Sequence, residues 1–251
     1  MLPNVQFSLN QQFQQGCNLA QQGVLAEQAG NPMFAAQSYD QAIGMIGNAV
    51  GAALQYGIPV LHNVYFALAF CHFNSARIKA ATGWVQYVPA HLNFALQAIN
   101  QAINMNPGFA MYHSAAGLIL LGQSNLPEAA RAFQRAVQLN PADSWSQWML
   151  SSLYTAQGNL PMANQFYTAA ASAQPNLPPP QTFVPPQFQT AGASAGPAPS
   201  GAEKKRDWFE LINNALTFGN GLMKAFDSGS SSAGQAPAWP GAGGGWNMNG
   251  F

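Results

Sequence analysis

A thiol beside an imidazole is the pair from which cysteine nucleophiles are built, and this sequence places Cys71 next to His72. Neighbours on a helix project about 100° apart, so the two cannot meet if the apolar stretch around them is helical; both read as buried structural residues. His62, His91 and His113 read as lone residues without acidic companions. The carboxylates Glu27, Asp40, Glu128 and Asp143 are too scattered for general acid–base work. Glu128, in the first turn of its expected helix, is explained by the helix dipole. Cys17 and Cys71 give neither a disulfide framework nor a zinc-type spacing, and they read as buried thiols in a reducing, cytoplasmic setting. No phosphate loop with a following lysine and no nucleophile elbow occurs. These residues predict a chain that is not an enzyme and has no cofactor and no metal site. Recognition is the chemistry that remains.

Composition narrows what could be recognised. Of 251 residues, 48% are apolar or aromatic and only 6% charged, eight basic against eight acidic. Such a chain can bury a substantial core but has no field to steer nucleic acid or an anionic membrane, so neither is expected as a partner. Half of the charges fall between Glu203 and Asp227, and solubility upstream rests on Gln and Asn. Weak charge repulsion favours self-association. Met1 to Gln15 lacks the pattern of a secretory signal, and the most apolar stretch, Ile58 to Phe73, is too short and polar to span a membrane, so it reads as a buried helix.

The elements that carry any recognition surface follow from a repeat. Pro107, Pro141 and Pro175 are spaced by 34 residues. The same step relates Leu92, Leu126 and Leu160; Ala95, Ala129 and Ala163; Ile99, Phe133 and Tyr167; and Ala102, Ala136 and Ala170. Alanines seven apart share a helix face and let a paired helix approach while the aromatic residue between them fills the core. Asn125-Leu126-Pro127 and Asn159-Leu160-Pro161 place proline in a first helical turn, where its missing N–H costs nothing. The period and residue types resemble the tetratricopeptide repeat, clearly over 90–175 and in degenerate form over 8–89.

That resemblance implies an all-α solenoid of antiparallel helix pairs. First helices are expected at Ala110–Gln123 and Ser144–Gln157, with Ala116-Gly117 and Leu150-Ser151 as large-then-small or small pairs at the packing position. Upstream, Ala35, Tyr39 and Ala42 repeat the small–aromatic–small spacing, with a first helix at about Cys17–Ala29 and Gly23 as its small residue. Between Ala35 and Ala95 the step is 60 residues, which predicts helices near Met33–Tyr56 and Pro59–Ala81, a loop to Pro89, and a further helix from about His91. Either an atypical hairpin or a degenerate repeat fits this stretch.

The resemblance also implies a concave groove lined by first helices. Met111, Ser114, Leu118 and Leu121 would face it in one unit, and Trp145, Trp148, Ser152 and Thr155 in the next. Trp145 and Trp148, three apart, fit either the groove or the interhelix core. With no cation at these positions, an apolar or amide-rich protein segment is expected rather than a terminal carboxylate. The repeat domain is expected to end near 175, before a Pro/Gln/Ala-rich linker over 176–202. In 203–227, Trp208, Leu211, Ile212, Leu216, Leu222 and Phe226 recur at helical steps and predict an amphipathic helix. Its polar face lacks the basic enrichment of membrane-surface helices, so it is expected to dock on protein, in its own groove or on another copy. The Gly/Ser-rich stretch 228–251 is expected to be a disordered tail.

Overall fold

The computed structural model describes residues 2–173, and the expected linker, amphipathic helix and tail lie outside them. The described residues form eight α-helices: α1 (Leu2–Gln28), α2 (Pro32–Gln55), α3 (His62–Ala81), α4 (Val88–Met105), α5 (Ala110–Gly122), α6 (Leu126–Leu139), α7 (Ser144–Ala156) and α8 (Leu160–Ala173). A single 3-10 turn, Val85–Tyr87, precedes α4. No strand occurs among these residues.

Local chemistry explains why the helices stop where they do. Gly30, Gly57, Gly83 and Gly158 each adopt a left-handed φ just past a helix end. In every case the next amide bonds back over a full turn, as Asn31 does to Ala26 and Trp84 to Lys79. Ser124 occupies the same left-handed position after α5, where its neighbours in the repeat use glycine. Helices α2, α6, α7 and α8 start on side-chain caps: Asn31, Asn125 and Asp143 accept from the amides of Phe34, Glu128 and Ser146, and Asn159 accepts from Met162, whereas α3 and α4 start without one.

Packing is closest within the pairs α1/α2, α3/α4, α5/α6 and α7/α8, and next closest between consecutive pairs. The alanine columns are the reason. Ala35, Ala42, Ala95, Ala102, Ala129, Ala136, Ala163 and Ala170 are all shut off from solvent, with Tyr39, Ile99 and Phe133 between them. Opposite these aromatics the facing helix has no room for a side chain. A Cβ on Gly23 would lie 2.9 Å from the Tyr39 ring, and one on Gly117 would lie 2.7 Å from Phe133. The upstream pair is thus built on the same contact as the downstream ones.

Two expectations need correction. The first helix reaches back to Leu2 rather than starting near Cys17, because Leu9, Phe13, Cys17, Ala20 and Val24 continue one buried stripe at three- and four-residue steps. The helix before Ala95 begins at Val88, ahead of His91, since Pro89 sits in its first turn without losing a bond. The stretched middle region is a helical hairpin, α3/α4, that keeps the alanine column of the repeat.

α3 is the spine. One apolar cluster spans α1 to α3 and takes Val64, Ala67, Phe70, Cys71 and Ile78 from it; the other spans α3 to α8 and takes Phe66, Ala69, Phe73 and Ala76. From Ala69 to Lys79 every residue of α3 is buried, whichever way it points.

Candidate functional site

The first helices of the last two pairs, α5 and α7, carry the stripes expected to face a ligand. On α5, Met111 and Leu118 are half-buried, whereas Leu121 is fully enclosed in the α3–α8 cluster. Leu118 joins Phe66, Ala69, Phe70, Phe73, Ala115 and Ile119 around a small apolar cavity of about 20 Å³ between α3 and α5, the size of a single water molecule. On α7, Trp145 and Trp148 stack with ring centroids 5.3 Å apart and belong to the same cluster, 8% and 2% exposed. Ser152 is buried beside them with its hydroxyl unbonded, and Thr155 is half-buried, its hydroxyl donating to the Ser151 carbonyl.

Ser114 has a different task. Its hydroxyl and that of Ser146 both donate to Asp143 Oδ2, at 2.9 and 2.7 Å, and Asp143 Oδ1 accepts the Ser146 amide at 3.1 Å. One buried carboxylate therefore caps α7 and ties it to α5. Trp208, Leu211, Ile212, Leu222 and Phe226 lie outside the described residues.

Electrostatically the two stripes are bare. The four cations of the described residues lie elsewhere: Arg77 pairs with Glu27, Lys79 with Asp40 and Arg131 with Glu128, while Arg135 bonds Gln138. Neither stripe carries a lysine, arginine or histidine to grip a carboxylate.

The structure also gathers residues that sequence spacing left apart. His72 and His91 meet, Nδ1 to Nδ1, at 3.2 Å, and His91 Nε2 is 2.9 Å from Lys79 Nζ, which donates to both oxygens of Asp40. His91 is thus not the isolated residue its spacing suggested. Nor is His62, whose Nδ1 lies 2.6 Å from the Tyr112 hydroxyl; burial pushes that imidazole down and that phenol up. Glu27 holds Arg77 and accepts the Tyr39 hydroxyl at 2.8 Å, linking α1, α2 and α3. Only charge type could have hinted at this network, for Arg77 and Lys79 are cations inside an apolar helix and need partners.

Cys17 and Cys71 are buried, and desolvation raises both thiols, Cys71 with a further push from Cys17. A thiol held protonated is a poor nucleophile and a poor metal ligand. Among the described residues no group of three or more His, Cys, Asp or Glu side chains could hold a metal, and no helix is long and apolar enough to cross a membrane.

The tetratricopeptide-repeat family model matches residues 95–144 and 114–178. No curated protein matches the chain. Solved structures similar to it include two crystal structures of MamA, both 13% identical, with TM-scores of 0.36 and 0.35; they cover 61% and 64% of this chain and 94% and 93% of their own. A third is YrrB, described as a TPR protein with an unusual peptide-binding site, at 15% identity and TM-score 0.34, covering 63% of this chain and 86% of its own. With the alanine columns, the pairwise packing and this match over residues 95–178 together, the described residues fold as a tetratricopeptide-like helical repeat.

Proposed function

We propose that this protein is a non-enzymatic interaction scaffold, an adaptor in the cytoplasm that receives an apolar or helical protein segment across α5 and α7. Met111, Leu118, Trp145 and Thr155 would touch the segment. Ser114, Leu121, Trp148 and Ser152 would support them from beneath. The observation that carries this reading is the uncharged, carbon-lined concavity at Leu118, flanked by stripes without a single ionisable side chain. An uncharged apolar surface of this kind favours apolar anchors and disfavours charged ones. The chain's own 203–227 segment, with Trp208, Leu211, Ile212, Leu222 and Phe226 on one face, has the matching chemistry.

Hydrogen exchange on the full chain and on a form lacking 203–227 tests the self-docking version. Faster exchange at 111–121 and 145–155 after deletion is the expected result. Unchanged exchange, partner affinity and oligomeric state reject it.

A second reading, a self-assembling subunit, is favoured by exposed apolar side chains on a molecule without net charge, Phe7, Leu54 and Leu160 among them. Light scattering over a dilution series separates the two, and a monomer at high concentration rejects assembly.

A further inference from the structure

Where α2, α3 and α4 meet, their polar side chains, buried on α3 and more open at Asp40 and His91, form one chain of hydrogen bonds whose direction chemistry fixes. Asp40 of α2 accepts from Ser75 at 2.6 Å and from Lys79 at 2.8 Å through each oxygen. A lysine ammonium only donates, so its second contact, His91 Nε2 at 2.9 Å, must be an acceptor. Neutral His91 then carries its proton on Nδ1 and donates it to His72 Nδ1 at 3.2 Å. His72 in turn is neutral, with its proton on Nε2.

We propose that this relay is a pH-sensitive latch between α3 and α4, which Lys79 ties in turn to Asp40 of α2, closed while both imidazoles are neutral and opened by protonation of either. A second proton on His91 would sit on Nε2, facing the Lys79 ammonium. A second proton on His72 would sit on Nδ1, facing the N–H of His91. Each event turns a donor–acceptor contact into a donor–donor one. Asp40 offsets part of this for both rings, but it is already committed to Lys79 and Ser75, and Glu27, on α1, is committed to Arg77 and Tyr39. The remaining neighbours are uncharged rings: Tyr87, from the 3-10 turn, lies 5.7 Å from Lys79 Nζ, and Phe94 stacks against His72 at 5.3 Å. α5 offers His113, which is bonded to the Pro107 carbonyl, and Tyr112, whose hydroxyl is engaged by His62 and kept neutral by burial, and the thiols of Cys71 and Cys17 are kept neutral by burial. Burial and the His91 and Lys79 neighbours push His72 down to about 4, and burial with Lys79 pushes His91 down too.

The latch matters because α3 belongs to both apolar clusters, so its release from α4 loosens the Phe66–Phe73 wall of the concavity. This holds whatever the groove binds.

Nitrogen-15 NMR of the histidine rings in the full chain is the primary test. At pH 7 the expected result is a proton on Nδ1 of His91 and on Nε2 of His72, with both rings still neutral at pH 6. The opposite tautomer, or either ring charged at pH 6, overturns the proposal. Hydrogen exchange supplies the second arm. Lowering pH from 6.5 to 4.5 should raise intrinsic-rate-corrected exchange in α3 and α4 by roughly tenfold or more, leaving α7 and α8 unchanged. The doubly substituted His72→Gln/His91→Gln chain keeps donors and acceptors without titrating and should lose that response. A flat profile in the native chain, or an equal response in the substituted one, contradicts the latch; if the substituted chain fails to fold, the ring NMR of the native chain decides.

Discussion

Single residues set how closely these helices can approach. Gly117 has no side chain because the Phe133 ring fills the place a Cβ would take, 2.7 Å away, and that ring is fully enclosed and cannot retreat. Gly117→Ala is expected to destabilise the protein by about 1–3 kcal/mol, the usual cost of overpacking. Denaturant unfolding of Gly117→Ala, Phe133→Leu and the double variant checks this: the pair should be strongly non-additive, the smaller Phe133 replacement relieving part of the clash. Asp143 carries a comparable load by other means. Asp143→Ala leaves the Ser146 amide and two hydroxyls without their acceptor and should cost about 2–3 kcal/mol, while Asp143→Asn, which can still accept, should cost less. These contacts differ in how far sequence discloses them. The Gly117–Phe133 pair is sixteen residues apart, as are Gly23 and Tyr39, so a shared column pointed to both. The Asp143–Ser114 bond crosses between units, and Ser114 was expected to face a ligand because helical spacing says which stripe a residue shares but not what lies across from it.

At the scale of elements, the alanine columns were readable because small residues at a fixed step leave a pattern that loops do not blur. The true start of α1 was not, although Leu9, Phe13 and Cys17 recur at four-residue steps, because the surrounding glutamines dilute the apolar signal over that stretch. α3 was legible as a buried helix from its apolarity alone; its role as the element shared by two cores depends on contacts with both neighbouring pairs. The ionic partners of α3 come from α1, α2 and α4, far apart in the chain, and no local pattern brings them together. They make a prediction at this scale. His72 has an ordinary value of 6.5 that falls to about 4 in the folded chain. A group with a lowered folded value binds fewer protons folded than unfolded, so its contribution is complete above pH 6.5 and lost as pH falls toward 4. The loss amounts to about 3 kcal/mol from His72 alone. Thermal unfolding between pH 7 and 4 should show this fall, and a stability curve that stays level across the window would contradict it.

Among the described residues the pairs stack so that each covers what its neighbour leaves bare, and Arg77 and Lys79 are paired inside the joints around α3, while Arg131 and Glu128 pair on the exposed face of α6. In the proposed function, recognition falls to the uncharged strip that includes Leu118 and Trp145. The most direct test of that account is the binding of a fluorescent peptide spanning residues 205–227 to protein lacking residues 203–227. The account predicts saturable binding that weakens about tenfold or more when Leu118→Glu places a charge in the concavity, with little change when Glu replaces Phe7 on the outer surface. Binding that is absent, or indifferent to the charge at Leu118, would contradict it.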